Sequence, residues 1–278
     1  MQTVRQLLRN ATGHLCSSDS PRLDAEVLLA AVLGTDRSRL YAHPEMTALP
    51  TSVADFMRLL NSRRAGYPVA YLTGLKEFRS LAFRVNRHTL IPRPETELLV
   101  DAALERIPGH TGARVLDLGT GSGAIAVAVA AARPHCAVTA VDLSTDALAV
   151  ARENATANGI TDISFLQSDW FGNLRNRRFD AILCNPPYVD FPRSALPADE
   201  IRFEPRLALD GGHQGVDCIR IIISCSFRHI NPGGFIIIEH AHDQGDFVRQ
   251  QFRMNHYRDI ITGRDYAGIE RYTCALRP

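Results

Sequence analysis

Several groups of residues in this chain have the types and spacing to do chemistry. The first is Asp117-Leu118-Gly119-Thr120-Gly121-Ser122-Gly123-Ala124. Glycines at alternate positions let the backbone turn tightly and come close to a ligand. A strand before the loop and a helix after it would set that ligand at a helix N-terminus and at the carboxyl end of a sheet. Gly119, Gly121 and Ala124 also satisfy the GxGxxA form of a dinucleotide fingerprint, so the loop by itself leaves NAD and S-adenosylmethionine both open. Asp117 favours the second. A carboxylate there suits a ligand bearing an ammonium and a sulfonium and opposes a pyrophosphate. Its plainer role is that of a hydrogen-bonded acid at a strand end.

Asp142 stands nearly 20 residues beyond the loop, at the end of the next apolar run. A carboxylate in that place accepts from both ribose hydroxyls of either cofactor. As a helix cap it would be redundant, because Ser144 already fills that position. Asp169 and Trp170 follow a third apolar run. The acid can accept from an adenine amine and the indole can cover the adenine face, although Trp170 is equally at home in a core.

The most telling group is Asn185-Pro186-Pro187-Tyr188, directly after the apolar run Phe179 to Cys184. The nitrogen of an amide or aryl amine is a poor nucleophile, because its lone pair is delocalised. Acceptors for both its N–H groups, here the Asn185 side-chain oxygen and the Pro186 carbonyl, stabilise the charge that develops on nitrogen and turn the lone pair toward an electrophile. The two prolines fix the backbone that carries these acceptors. Tyr188 offers a ring to stack on a planar substrate group. The plain alternative is a proline-rich turn begun by asparagine.

The elements needed to position these groups are legible. Val4, Leu7, Leu8, Ala11 and Leu15 follow one helix face. Ser20-Pro21 begins a second helix that stops at Gly34, and a third runs from Ser52 to Arg64 with Val53, Phe56, Met57 and Leu60 on one side. Leu81, Phe83 and Val85 alternate as a short strand, half of a hairpin. Pro94 with Glu95 and Glu97 opens a helix to about Arg106. From Ala113 onward, strands at Arg114 to Leu118, Ala137 to Val141, Ile163 to Gln167, Phe179 to Cys184 and Phe235 to Glu239 alternate with helices. Continuous apolar strands of this kind form a parallel sheet covered on both faces. Segments near Ile260 and Tyr272 would add an antiparallel edge.

Composition bounds the rest. The chain has 278 residues, 45% hydrophobic and 22% charged, with a net charge of +1, as in soluble globular proteins. That balance argues against a broad basic footprint for nucleic acid. No apolar run approaches the roughly 20 residues that span a bilayer, and the start of the chain lacks a signal-peptide pattern, so a cytoplasmic protein is expected. Cys16, Cys136, Cys184, Cys218, Cys225 and Cys274 include no CxxC pair, so they read as buried thiols, with no metal site.

Taken together, the glycine loop and Asn185 to Tyr188 resemble the class I transferases that methylate amino groups. The segments 91–97, Ser168-Asp169-Trp170-Phe171 and 203–212, with Tyr71-Leu72-Thr73-Gly74, are similar to the peptide chain release factor glutamine methyltransferases, the PrmC/HemK family, and the likeness spans nearly the whole chain. The resemblance implies an α/β fold, Rossmann-like, with a mostly parallel seven-stranded sheet behind a small helical N-terminal domain. It divides the chain into a helical substrate-recognition domain at 1–75, a hairpin linker at 76–92 and a methyltransferase domain at 93–278. It implies S-adenosyl-L-methionine as cofactor, with S-adenosyl-L-homocysteine as product. The implied substrate is the glutamine of the Gly-Gly-Gln motif in class 1 release factors. Asp117, Gly119, Thr120, Gly121, Ser122, Gly123, Asp142, Asp169, Trp170 and Asn185 are the expected cofactor residues. Asn185, Pro186, Pro187 and Tyr188 are expected to hold the glutamine, with Asn185, Pro186 and Tyr188 as the catalytic set. The rival targets are a glutamine of a large-subunit ribosomal protein and, more remotely, DNA adenine. A DNA enzyme must flip the base out of the duplex, and no recognition insert is evident. A dehydrogenase would leave Asn185 to Tyr188 without a role.

Overall fold

The structure is a computed structural model that describes residues 2–16, 18–109, 112–191 and 201–278. It divides into two compact units, Met1–Leu75 with Leu196–Phe203, and Lys76–Ala195 with Glu204–Pro278.

The smaller unit is helical: α1 (Val4–His14), α2 (Pro21–Leu33), α3 (Arg37–Ala42), α4 (Pro50–Arg64) and α5 (Val69–Thr73). Val4, Leu7, Leu8, Ala11, Leu28, Leu29, Leu40, Phe56 and Leu60 make its core. Gly34 ends α2 in the left-handed conformation, as its place in the sequence predicts. Ser20 does not cap α2 with its side chain. Its hydroxyl instead donates to Asp24 Oδ1 at 3.1 Å, and Arg63 Nε donates to Asp24 Oδ2 at 2.7 Å. Glu26, 1% exposed, accepts from Arg22, Arg37 and Tyr41. Buried carboxylates persist only when satisfied in this way. Met57, expected on the inner face of α4, is exposed, and Leu59 is buried instead. Phe203 stacks on Tyr67 with ring centroids 3.9 Å apart, so part of the segment beyond residue 200 belongs to this unit.

The larger unit begins with a hairpin, β1 (Leu75–Phe78) and β2 (Leu81–Arg84). Then follow α6 (Pro94–Arg106), β3 (Arg114–Leu118), α7 (Ala124–Ala132), β4 (Ala137–Asp142), α8 (Thr145–Ala157), β5 (Ile163–Gln167) and β6 (Phe179–Cys184). The chain closes with α9 (Asp217–Ser226), β7 (Ile230–Glu239), α10 (Gly245–Met254), β8 (Arg258–Arg264) and β9 (Glu270–Leu276). The seven-stranded sheet has the order β5-β4-β3-β6-β7-β9-β8. Strands β3 to β7 pair in parallel, and β9 pairs antiparallel with β7 and β8. Apolar clusters cover both faces, which is why the parallel strands read as unbroken apolar runs. The topology reverses between β3–β4 and β3–β6, so a crevice opens at the carboxyl ends of β3, β4 and β6, where open α/β sheets bind ligands. Strand β7 starts five residues earlier than its apolar run, at Ile230, with a register shift opposite Phe179 and Ala181. The Pro232-Gly233-Gly234 stretch hides that start from a pattern reading. Cys16 is exposed, and Cys218 and Cys225 are half-buried, so only Cys136, Cys184 and Cys274 are the buried thiols expected of all six.

The segment 76–92 is fastened to the larger unit by Asn154 of α8, which is fully buried. Asn154 Oδ1 accepts from the Arg84 N–H at 2.7 Å, while Nδ2 donates to the carbonyls of Arg84 at 2.9 Å and Ser122 at 2.8 Å. One side chain thus ties the hairpin to the glycine loop. Asn154→Ala should destabilise the chain by about 2–4 kcal/mol, because it leaves buried backbone groups unpaired. Denaturant unfolding checks this, and a change under about 0.5 kcal/mol, as at an ordinary surface site, would contradict it.

Candidate active site

The crevice contains a cavity of about 320 Å³, within the roughly 300–1,000 Å³ range of small-ligand sites. Gly119, Thr120, Gly121, Ser122, Asp142, Asp169, Trp170, Asn185 and Pro187 all line it. Four separate strand ends, those of β3, β4, β5 and β6, therefore deliver the sequence-predicted groups to one place. Thr96, Asp210 and Cys218 also line it, as do Arg87 to Leu90 and Leu207.

The loop is held from below and from the side by carboxylates. Asp117, fully buried, accepts through Oδ2 from the Thr120 hydroxyl at 2.6 Å and the Ala126 N–H at 3.1 Å. Its Oδ1 is buried and has no partner among the described residues. Burial pushes its pKa up to about 7 against those two hydrogen bonds, with the nearby Asp142 charge adding to the rise. Asp142 accepts from the Gly121 N–H at 2.8 Å and the Ser144 N–H at 2.9 Å. Burial raises its pKa too, opposed by those backbone donors. Gly123 has φ +85° and a Cβ there would stand 3.1 Å from the Ala151 Cβ, so glycine lets α7 start against α8. Ser144 caps α8 by accepting from the Ala147 N–H at 3.1 Å.

Trp170 sits in the left-handed region at φ +45°, rare for a bulky residue. The Ser168 hydroxyl donates to its carbonyl at 2.7 Å, and the indole lies against the loop, with Cζ3 3.6 Å from where a Gly119 Cβ would be. It both lines the cavity and packs against the second apolar cluster, so the two readings of Trp170 hold at once.

Asn185 Nδ2 donates to Thr96 Oγ1 at 3.0 Å. Its Oδ1 makes no hydrogen bond among the described residues, and the residue is one of those that line the cavity. Thr96 in turn donates to Glu239 Oε2 at 2.7 Å, and the Tyr188 hydroxyl donates to Glu239 Oε1 at 3.1 Å. Gln244 Nε2 donates to the carbonyls of Tyr188 at 3.0 Å and Gly215 at 3.2 Å, which fixes the turn after Pro187. Glu204, beyond the turn, accepts from the Ile91 N–H at 3.0 Å and pairs with Arg93, so it ties two walls of the crevice together.

Some expected residues stand elsewhere. Asp117, Gly123, Pro186 and Tyr188 are not among the lining residues. Asp117 is a post beneath the loop, and Gly123 is a packing position. Pro186 is buried. Tyr188 is half-buried, packs on the apolar cluster and donates its hydroxyl to Glu239. Sequence reasoning gave no role to Thr96, Glu204 or Glu239. Glu239 did carry a signal: it is an acid at the end of an apolar strand, as Asp117 and Asp142 are nearly or fully at the ends of theirs.

The donor set fits S-adenosylmethionine. Asp142 and Asp169 line the cavity at the ends of β4 and β5, acceptors suited to the hydroxyls, amine and ammonium of that cofactor; Asp210 also lines it, paired with Arg206. Each Asp142 oxygen keeps a lone pair free for a ribose hydroxyl. Trp170 supplies a flat apolar wall. Asp142→Ala should raise the dissociation constant for S-adenosylmethionine by about 10–100-fold through loss of charge-assisted hydrogen bonds. Calorimetry reads this directly, and unchanged affinity would remove Asp142 from the cofactor site.

Comparison with known proteins agrees with this geometry. Residues 94–196 match the family model described as the Methyltransferase small domain, and residues 6–74 match the PrmC N-terminal domain. The chain is 47% identical over 267 residues to the release factor glutamine methyltransferase of Salmonella typhimurium, covering 96% of each chain. It is 45% identical over 266 residues to that of Escherichia coli K12, again covering 96% of each. Among solved structures, a methyltransferase from Pyrococcus furiosus shares the fold at a TM-score of 0.54 and 18% identity, over 80% of this chain and 97% of that one. With near-complete coverage at such identities, the chain belongs to the release factor glutamine methyltransferase family.

Proposed function

We propose that this chain transfers a methyl group from S-adenosylmethionine to the side-chain amide nitrogen of the glutamine in the Gly-Gly-Gln motif of class 1 peptide chain release factors. The observation that carries this reading is the state of Asn185. Its amide NH₂ is engaged by Thr96, so the acceptor Oδ1 is the end left for a substrate N–H. The backbone after it runs through Pro186 and Pro187, which have no N–H, so that strip is rich in acceptors and poor in donors.

Bound at the loop, S-adenosylmethionine supplies an electrophilic methyl on a cationic sulfur. The chain's own residues supply position and field. Asn185 Oδ1 accepts an N–H of the glutamine and holds the amide plane so that the nitrogen lone pair points toward the methyl. As the C–N bond forms and the methyl–sulfur bond breaks, with S-adenosylhomocysteine leaving as a neutral thioether, the amide would become cationic and its N–H a stronger donor, so the acceptor stabilises the transition state more than the ground state. The methylated cation then loses its proton readily, and no strong base is required. Alignment contributes much of the remaining rate.

We further propose that the helical unit recognises the release factor and that the catalytic unit binds the cofactor without it. Every lining residue of the cavity lies between Arg87 and Cys218 in the larger unit, which supports the division. The cytoplasm, where peptide release takes place, is the compartment this reading assigns. The net charge of +1 supports a protein rather than a nucleic acid as the partner.

Incubation with labelled S-adenosylmethionine and a release factor, followed by location of the label, tests the reading; label on the glutamine is the expected result, and label elsewhere would refute it. Asn185→Ala should lower single-turnover methylation by about 10²–10³, the usual effect of losing one preorganised polar partner. Melting temperature should change little. Retention of more than about a tenth of the rate would remove Asn185 from the mechanism. A chain starting near Phe78 should keep its cofactor affinity and lose most methylation of the intact release factor. Equal turnover by that shortened chain would sink the role given to the helices.

A further inference from the structure

The side chain of Asn185 has two nearly isosteric ends, and chemistry of the proposed kind needs one of them. Oδ1 toward the substrate accepts an N–H, whereas NH₂ toward the substrate opposes it, donor against donor. The amide could sit either way round unless its far end is constrained. Thr96 at the first turn of α6, 4% exposed, supplies the contact at that end. A hydroxyl is ambivalent, since it donates one hydrogen and accepts through its lone pairs. By itself it would tolerate either orientation of the amide.

Glu239 removes the ambiguity. It ends β7, is 3% exposed, and meets two hydroxyls, Thr96 at 2.7 Å and Tyr188 at 3.1 Å. An ionised carboxylate only accepts, so both hydroxyls must donate to it. The single Thr96 hydrogen is then committed to Glu239, and Thr96 Oγ1 can only accept from Asn185. The Asn185 atom 3.0 Å away must be the amide nitrogen, which leaves Oδ1 as the end that Thr96 does not hold, in a residue that lines the cavity. We propose that Glu239, acting through the Thr96 hydroxyl, sets which way round the Asn185 amide is presented, so that Glu239 and Thr96 are positioning residues for methyl transfer. The inference rests on the reading of Asn185 as the acceptor for the substrate amide.

A proton on Glu239 reverses the logic. A carboxylic acid can donate to Thr96 Oγ1, which frees the Thr96 hydrogen to turn toward Asn185 and makes the inverted amide equally satisfied. Burial pushes the Glu239 pKa up to about 7, opposed by the hydrogen bonds from Thr96 and Tyr188. The charged groups acting on it are Glu95 of α6, which raises it, and Arg271 of β9, which lowers it; Arg93 acts on its partner Tyr188. Because the pKa is raised, the carboxylate that orients Asn185 is present above about pH 7 and is lost below it. The rate constant for methyl transfer should therefore have an acid limb, falling as pH drops through that value.

The test uses the full chain with a release factor, both substrates saturating, and single-turnover rates from about pH 5.5 to about pH 8.5, a range that brackets this ionisation. Thr96→Val keeps the shape and removes the relay. The rate at high pH should fall by about 10–100-fold, the scale set by a misplaced transition-state partner. The acid limb should disappear, while the release factor KM and the cofactor dissociation constant stay within about threefold, as expected for an interaction made in the transition state. Thr96→Ser restores the hydroxyl and should recover most of the rate together with the acid limb. Glu239→Gln should also abolish the acid limb, and it decides the matter if Thr96→Val does not fold. The inference is overturned if Thr96→Val keeps the wild-type rate, if Thr96→Ser is as impaired as Thr96→Val, or if Glu239→Gln leaves both the rate at high pH and the acid limb as they are in the wild-type chain. Failure of the wild-type chain to label the glutamine would overturn the proposed function and this inference with it. Wild-type labelling with an unimpaired Thr96→Val overturns the inference alone.

Discussion

Asp142 accepts the N–H of Gly121 from one side and the N–H of Ser144 from the other, and much of the crevice hangs on that pair of bonds. The first fixes the glycine loop above the end of β3; the second fixes the entry to α8. Through α8 the constraint reaches Asn154, which grips both the loop carbonyl of Ser122 and the hairpin residue Arg84. A carboxylate is suited to this work because it offers several lone pairs and no donor. It can hold backbone N–H groups on one side and still accept from a ligand on the other.

The same device recurs along the sheet. Asp117 lies in β3, Asp142 ends β4 and Glu239 ends β7, with the neutral Asn185 following β6 between them. Each acid is buried or nearly so, and each is driven upward in pKa by that burial. Buried acids in a cleft beside a cavity are costly to folding, and such groups concentrate where function requires a field. Here the field is negative where a cationic cofactor fits. In the proposed role, the neutral amide of Asn185 would stabilise the nitrogen without the full attraction a carboxylate would exert on the sulfonium.

What was legible from sequence follows from how local each constraint is. The glycine loop and Asn185-Pro186-Pro187-Tyr188 declare themselves because turn geometry and acceptor chemistry act over a few neighbouring residues. The parallel strands declare themselves because burial on both faces leaves unbroken apolar runs. Glu239 and Thr96 are 143 residues apart, and no local pattern pairs them. The bond from the Tyr188 hydroxyl to Glu239 is equally non-local, 51 residues apart, and was not legible in the sequence. The short helices α3 and α5 have too few residues to show a periodicity. Met57 and Leu59 trade places because the apolar residues of α4 occupy more than one face, and packing against α2 chooses between them.

Under the proposed reading, the acceptor strip from Asn185 through Pro187, which lacks the two proline N–H groups, would also discriminate against glutamate, the acid counterpart of glutamine. Glutamate has the same length and nearly the same shape, yet it brings no N–H to Asn185 Oδ1 and adds a negative charge beside Asp142, Asp169 and Asp210. Like charges and facing lone pairs make that encounter unfavourable on both counts. If Asn185 is the acceptor proposed for the substrate amide, a deamidated side chain would be disfavoured at the same atom that positions the intact amide.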